Sequence, residues 1–134
     1  MCQTEYRVIK TNADVQEFQD ISNGLHDGHI THMEYNNTGI TARGNCLYYD
    51  YRGTSLIIHV LVTSLSGHPT FEIAFHNILE WQINEHDFSD ITGFSILFLA
   101  NGMLLWADDI SPNIADLKRG SYVVAESIQY RQYI

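Results

Sequence analysis

Residues 91–109, ITGFSILFLANGMLLWADD, decide how the rest of the chain is read. Two apolar runs, Phe94–Ala100 and Met103–Ala107, flank Asn101-Gly102. Asn-Gly between hydrophobic runs is the strongest short-range signal for a β-hairpin, because both residues tolerate the positive φ that a type I′ turn needs. The first run is apolar at both parities, so its strand is expected to be covered on both faces and central in a sheet.

The segments on either side extend that sheet. Phe71, Ile73, Phe75, Asn77, Leu79, Trp81 and Ile83 alternate with Glu72, Ala74, His76, Ile78, Glu80 and Gln82. That strand is longer than most, so a bend or bulge is expected near His76-Asn77. In Thr54–Ser64, Leu56, Ile58, Val60 and Val62 form an unbroken apolar face. Ile40–Tyr51 reads as one alternating strand, with Gly44 as a bulge or bend. His29–Tyr35 reads as a strand after a His26-Asp27-Gly28 turn, and Glu5–Lys10 as a short first strand. Asn84–Asp90 crosses over with one helical turn, and Ser111–Gly120 is a loop with a short 3₁₀ turn. Ser121–Tyr130 closes the series, with Tyr122, Val124, Ile128 and Tyr130 on one face.

One helix is expected, from Ala13 to Asn23. Thr11 and Asp14 have capping-box spacing, and Val15, Phe18, Ile21 and Leu25 make one apolar stripe before Gly24 stops it. No connection after residue 26 can hold a βαβ crossover helix, so pairing is antiparallel. The expected class is mainly β (α+β): one domain over residues 1–134, a curved antiparallel sheet of about eight strands with one N-terminal helix, built as an open barrel or a two-layer sandwich.

Composition narrows function by exclusion. Among 134 residues, 16 are acidic and 7 are Lys or Arg, a formal net charge of −9. Affinity for nucleic acid depends on clustered Lys and Arg, so nucleic acid is a poor partner. Such a charge suits basic protein surfaces, cations, or simply solubility. Cys2 and Cys46 give neither a disulfide framework nor a zinc spacing. The N-terminus has no apolar signal core, and no run approaches the ~18 apolar residues of a membrane span. A reduced, cytoplasmic, soluble protein without a membrane partner is expected.

His26, Asp27, His29, His32 and Glu34 fall within nine residues, which raises a metal reading. In a regular strand His29 and His32 point to opposite faces, so no metal site and no cofactor is expected. No nucleophile elbow, Walker motif or glycine fingerprint is present. Of the carboxylates, Asp87 and Asp90 share a loop, and Asp108-Asp109 reads as turn formation before Ser111-Pro112; no residue is assigned a catalytic role. Aromatic residues beside acids point instead to recognition, and His76, Glu80, Trp106, Asp108 and Asp109 are the candidate binding residues.

The order of features resembles small, uncharacterised bacterial β-rich domains in which a short helix precedes a His-Asp-Gly turn. The residues that carry the resemblance are Phe18, Leu25-His26-Asp27-Gly28 with Ile30, Phe71–Phe75, Leu79-Glu80-Trp81 and Leu104–Asp109. Some similar domains are immunity proteins of bacterial toxin systems, which are small, acidic, cytoplasmic and non-enzymatic. The resemblance implies a protein partner, a basic toxin among the options, and carries no catalytic residue over. The expected function is a non-enzymatic interaction domain with an acidic, aromatic-rimmed surface; the alternative is a ligand-binding barrel or small enzyme with a pocket lined by histidines and carboxylates.

Overall fold

The chain begins, in a computed structural model that describes residues 5–133, with β1 (Arg7–Val8) and α1 (Asn12–Ser22). Cys2 lies outside the described residues. There follow β2 (Gly28–Asn37), β3 (Ile40–Arg43), β4 (Cys46–Tyr49), β5 (Thr54–Val62) and β6 (Thr70–Gln82). The last elements are β7 (Ser95–Phe98), β8 (Leu104–Ala107), the single turn α2 (Ile114–Leu117) and β9 (Tyr122–Tyr133). Seven strands form one antiparallel sheet in the order β2-β5-β6-β9-β8-β7, with β1 also paired to β9. The class is therefore mainly antiparallel β with an N-terminal helix, and the sheet does not close into a barrel. β3 and β4 pair only with each other. No described helix is long and apolar enough to cross a membrane.

The helix starts where its cap demands. Asp14 Oδ2 accepts the Lys10 and Thr11 N–H groups at 2.8 and 2.9 Å, and Thr11 Oγ1 accepts the Asp14 N–H at 3.3 Å. It ends at Asn23, in the left-handed region at φ 52°, one residue before the expected glycine. Phe18 is the anchor, stacked on Tyr130 with centroids 4.0 Å apart and touching Phe94 and Phe71. Ile21, expected in the apolar stripe, is exposed; Ser22 is buried instead and donates its hydroxyl to Phe18 O at 2.6 Å.

The hairpin forms with two corrections. Only Gly102 has positive φ (84°), whereas a type I′ turn needs two such residues. The loop is instead closed by Gly102 N–H to Leu99 O at 3.1 Å and Leu99 N–H to Met103 O at 2.8 Å, which places Gly102 as the left-handed residue of a longer loop. Nor is the first strand central: β7 is the sheet's edge, and β8 is buried on both faces. Leu104 and Trp106 join the helix-side core, while Leu105 and Ala107 join a second core with Met103, Leu117 and Val124.

Irregularities redirect whole strand segments. Asn77 adopts φ 58° and the β6–β9 register shifts between Ile78 and Glu80, which is the expected bend. The same kink turns β9 over. Val124 faces the second core but Ile128 and Tyr130 face the first, so the single face expected for Tyr122, Val124, Ile128 and Tyr130 does not exist. A register shift in β2 between Ile30 and His32 has a similar effect. His29 pairs with Leu61 and His32 with His59, two residues of the same β5 face, so the expected opposite-face placement of His29 and His32 is wrong. Gly44, at φ 62°, is a turn between two strands and not a bulge within one.

The end strand β2 is pinned to the segment that leads into β7. Ile91 N–H donates to Gly28 O at 2.7 Å and Gly28 N–H to Ile91 O at 3.4 Å. Glycine is needed here because a Cβ would stand 2.5 Å from Leu25 O and 2.8 Å from Val60 Cγ1. The His-Asp-Gly turn thus works as a clasp: His26 Nδ1 lies 3.0 Å from Thr92 O, and Asp27 O accepts the Thr63 N–H and hydroxyl.

Candidate functional site

The five residues expected to bind do not form one surface. Trp106 is fully buried, edge-on to Phe75, with its indole Nε1 unbonded, so it cannot rim a binding face. His76 is half-buried beyond the Asn77 kink, with its Nε2 3.3 Å from Gln129 Nε2. Glu80 forms an ion pair with Lys118. Asp108 and Asp109 do come together, in a polar cleft of about 790 Å³ that is also lined by Asn84, His86, Asp116 and Arg119.

Ser121 builds this cleft. It is fully buried at the start of the last strand, and it ties three segments at once. Its Oγ accepts the Asn84 N–H at 2.8 Å, its carbonyl accepts the Asp108 N–H at 3.1 Å, and its own N–H donates to Asp108 Oδ1 at 3.1 Å. Gly120 lets Asp108 fold back so closely, since a Cβ there would stand 2.6 Å from Asp108 Oδ1. Asp109 is exposed, and its Oδ1 accepts the Ile110 N–H at 2.7 Å. Arg119 is drawn to Asp116, with Nη1 3.8 Å from Oδ1.

Beneath Asp108 lies Asp87, the residue that sequence reasoning missed. A 3₁₀ turn over Glu85–Phe88, closed by Asp87 N–H to Asn84 O at 3.1 Å, carries it inward until it is 0% exposed. Among the described residues, neither of its carboxylate oxygens has a hydrogen-bond donor. Its carboxyl faces that of Asp108, and two ionised carboxylates can only accept; a hydrogen bond joins them only when a proton lies between. Burial, then the Asp87 carboxyl and its charge, push the Asp108 pKa up to about 7. Nothing in the sequence marks Asp87, because a buried aspartate inside a hydrophilic run has no periodicity to betray it.

Of the histidines, His86 lines the cleft with Asp108 and Asp109, and His26, His32 and His59 lie elsewhere. His26 belongs to the clasp, His32 packs against His59 with centroids 4.8 Å apart and the rings tilted by 41°, and His59 Nε2–H donates to Glu72 Oε1 at 2.9 Å. Among the described residues no group of three His, Cys, Asp or Glu could hold a metal ion. A second groove, along edge strand β7, is apolar, lined by Ile96, Phe98, Leu99, Pro112 and Ile114, with Lys118 as its one titratable group. Compared with known protein families, with curated proteins and with solved structures, the chain matches none.

Proposed function

We propose that this chain is a non-enzymatic interaction domain that binds a basic surface of another protein through the cleft of Asp108 and Asp109. The observation that carries the reading is a pair of adjacent acids in the cleft that no described Lys or Arg compensates. Of the three acids that line the cleft, Asp108 and Asp109 have no Lys or Arg within ion-pair distance among the described residues, while Asp116 pairs with Arg119. Such a cluster repels phosphate and draws a basic partner, raising the association rate at low salt. The sequence resemblance to immunity proteins makes a basic toxin the partner of first choice.

The test is capture from the native cell by wild type and by Asp90→Lys/Asp109→Lys, after equal thermal stability has been confirmed. Wild type is expected to retain a basic protein that salt releases, because charges farther apart than about 8–10 Å are then screened. The variant is expected to lose it. Identical captured sets would overturn the reading.

A further inference from the structure

We propose that the β3–β4 hairpin is the contact through which two copies of this chain pair, apolar face on apolar face about a twofold axis. This goes beyond the interaction reading, and the hairpin shares no residue with the cleft of Asp108 and Asp109. Antiparallel partners place their side chains on one face, so Ile40–Tyr49 and Ala42–Leu47 alternate with Thr41–Tyr48 and Arg43–Cys46. The first face carries no charged group, and Ile40, Leu47 and Tyr49 on it are 57%, 75% and 58% exposed. The second is more polar, with the Arg43 guanidinium 5.4 Å from the Tyr48 ring centroid. Every residue of both strands is exposed, although a lone two-stranded hairpin is marginal in water and gains by being covered.

The arm is held in one direction from its root. Thr38 N–H donates to Gly53 O at 2.7 Å and Asp50 N–H to Gly39 O at 2.8 Å. The entering and leaving segments pass so closely that a Cβ on Gly53 would stand 2.4 Å from Gly39 N. A surface fixed before contact loses less entropy on association. Charge then selects the occupant. Residues 31–53 hold two acids, Glu34 and Asp50, and two cations, Arg43 and Arg52, so the whole formal charge of −9 lies outside them. Two copies therefore repel one another over most of their surface but not at the arm, whereas a basic partner finds no field to draw it there. A face that is apolar and uncharged is complementary to itself, as a twofold contact requires. Two such hairpins can stack sheet on sheet about 10 Å apart.

The experiment is sedimentation equilibrium of the full chain over a concentration series at low and at moderate salt. The mass is expected to rise from the chain's 15.3 kDa toward twice that value. Association should tighten about two- to fivefold as salt screens the repulsion between like-charged copies, the opposite of the salt release expected for a basic partner. Leu47→Lys sets a charge in the apolar face and is expected to weaken association about tenfold or more. It should melt as wild type does where both are monomeric, because the side chain it replaces is 75% exposed. Ile40→Thr, which keeps a β-branched residue in the strand, is the second variant should Leu47→Lys fail to fold. A chain that stays monomeric up to about 1 mM, an association that salt weakens, or variants that associate as wild type does would overturn the proposal. The cleft variant Asp90→Lys/Asp109→Lys is expected to pair still, so the two readings fail separately: loss of pairing there with pairing kept in Leu47→Lys would move the contact to the cleft and end this one.

Discussion

Glu72 and Asp87 are both carboxylates buried in this fold, 6% and 0% exposed, yet they are treated in opposite ways. Glu72 is met from three sides: the Tyr6 hydroxyl donates to it, Arg131 Nε donates to Oε2 at 2.7 Å, and His59 Nε2 donates to Oε1 at 2.9 Å. Among the described residues Asp87 finds no donor, and the carboxyl it acts on is that of Asp108. Burial alone would raise the Glu72 pKa, but the hydrogen bonds from Tyr6, Arg131 and His59 outweigh it and hold the carboxyl below its usual range. At Asp108 burial and Asp87 act in the same direction, upward. A buried acid met by donors holds a fold together, and a buried acid beside another acid works against it.

The sharpest break of this comparison is Glu72→Ala. It strands Arg131 and His59 beside a cavity, and removing one member of a buried ion pair costs about 3–5 kcal/mol. Denaturant unfolding followed by tryptophan fluorescence measures it, and a loss below about 1 kcal/mol would make Glu72 no more structural than a surface acid.

Next comes Asp108→Asn, with the opposite sign. The folded pKa lies above the unfolded one, so the native state holds the extra proton between about pH 4 and pH 7. Stability therefore falls as pH rises through that window, and the penalty is complete above it. Glu72 runs the other way: its contribution is present above the unfolded pKa and is lost as pH falls through its lowered folded pKa. Wild type should then be most stable in mild acid. Asp108→Asn keeps the Ser121 hydrogen bond and removes the decline, a gain of about 1–2 kcal/mol at pH 8 once solvent screening of this half-exposed carboxyl is allowed for. Melting temperatures from pH 4 to pH 8 check it; parallel profiles for variant and wild type would remove the carboxyl pair from the account.

The smallest effect is expected at Asp109→Asn. That carboxyl is exposed and touches neither Asp87 nor a cation, so stability should change by less than about 0.5 kcal/mol while the cleft still loses a charge. A larger shift in the melting curve would mean that the cleft acids are coupled and that Asp109 belongs with the buried pair.

Much of the frame was legible from sequence because it depends on local chemistry. Thr11 and Asp14 announce the helix cap, and the alternation from Phe71 to Trp81 announces a strand whose bend falls at Asn77. What escaped depends on neighbours distant along the chain. The β2 register shift moves His32 onto the His29 face, and no residue type near Thr31 reveals it. Leu47, Tyr48 and Tyr49 look as fit for burial as Leu104, Leu105 and Trp106, but β3 and β4 pair only with each other and stay exposed. Of the expected site, Asp108 and Asp109 hold their place in a cleft, while Trp106 is claimed by the core and Glu80 by Lys118. Asp87 meets Asp108 only because Ser121 ties both segments to the last strand, a link no short-range pattern records.

The position of β9 in the sheet has a consequence for biosynthesis. Among the described residues it is the last of nine strands in chain order, yet it lies between β6 and β8 and also carries β1. While the ribosome adds residues at about 5–20 per second, β7 and β8 emerge with no route to β6, and the tyrosine on which Phe18 stacks is still missing. Until β9 is released the nascent chain can offer only β2, β5 and β6 as a continuous sheet, with the β9-facing edge of β6 unpaired. Such an edge is open to other chains, so β6 is exposed to mispairing from the synthesis of Gln82 until β9 has emerged.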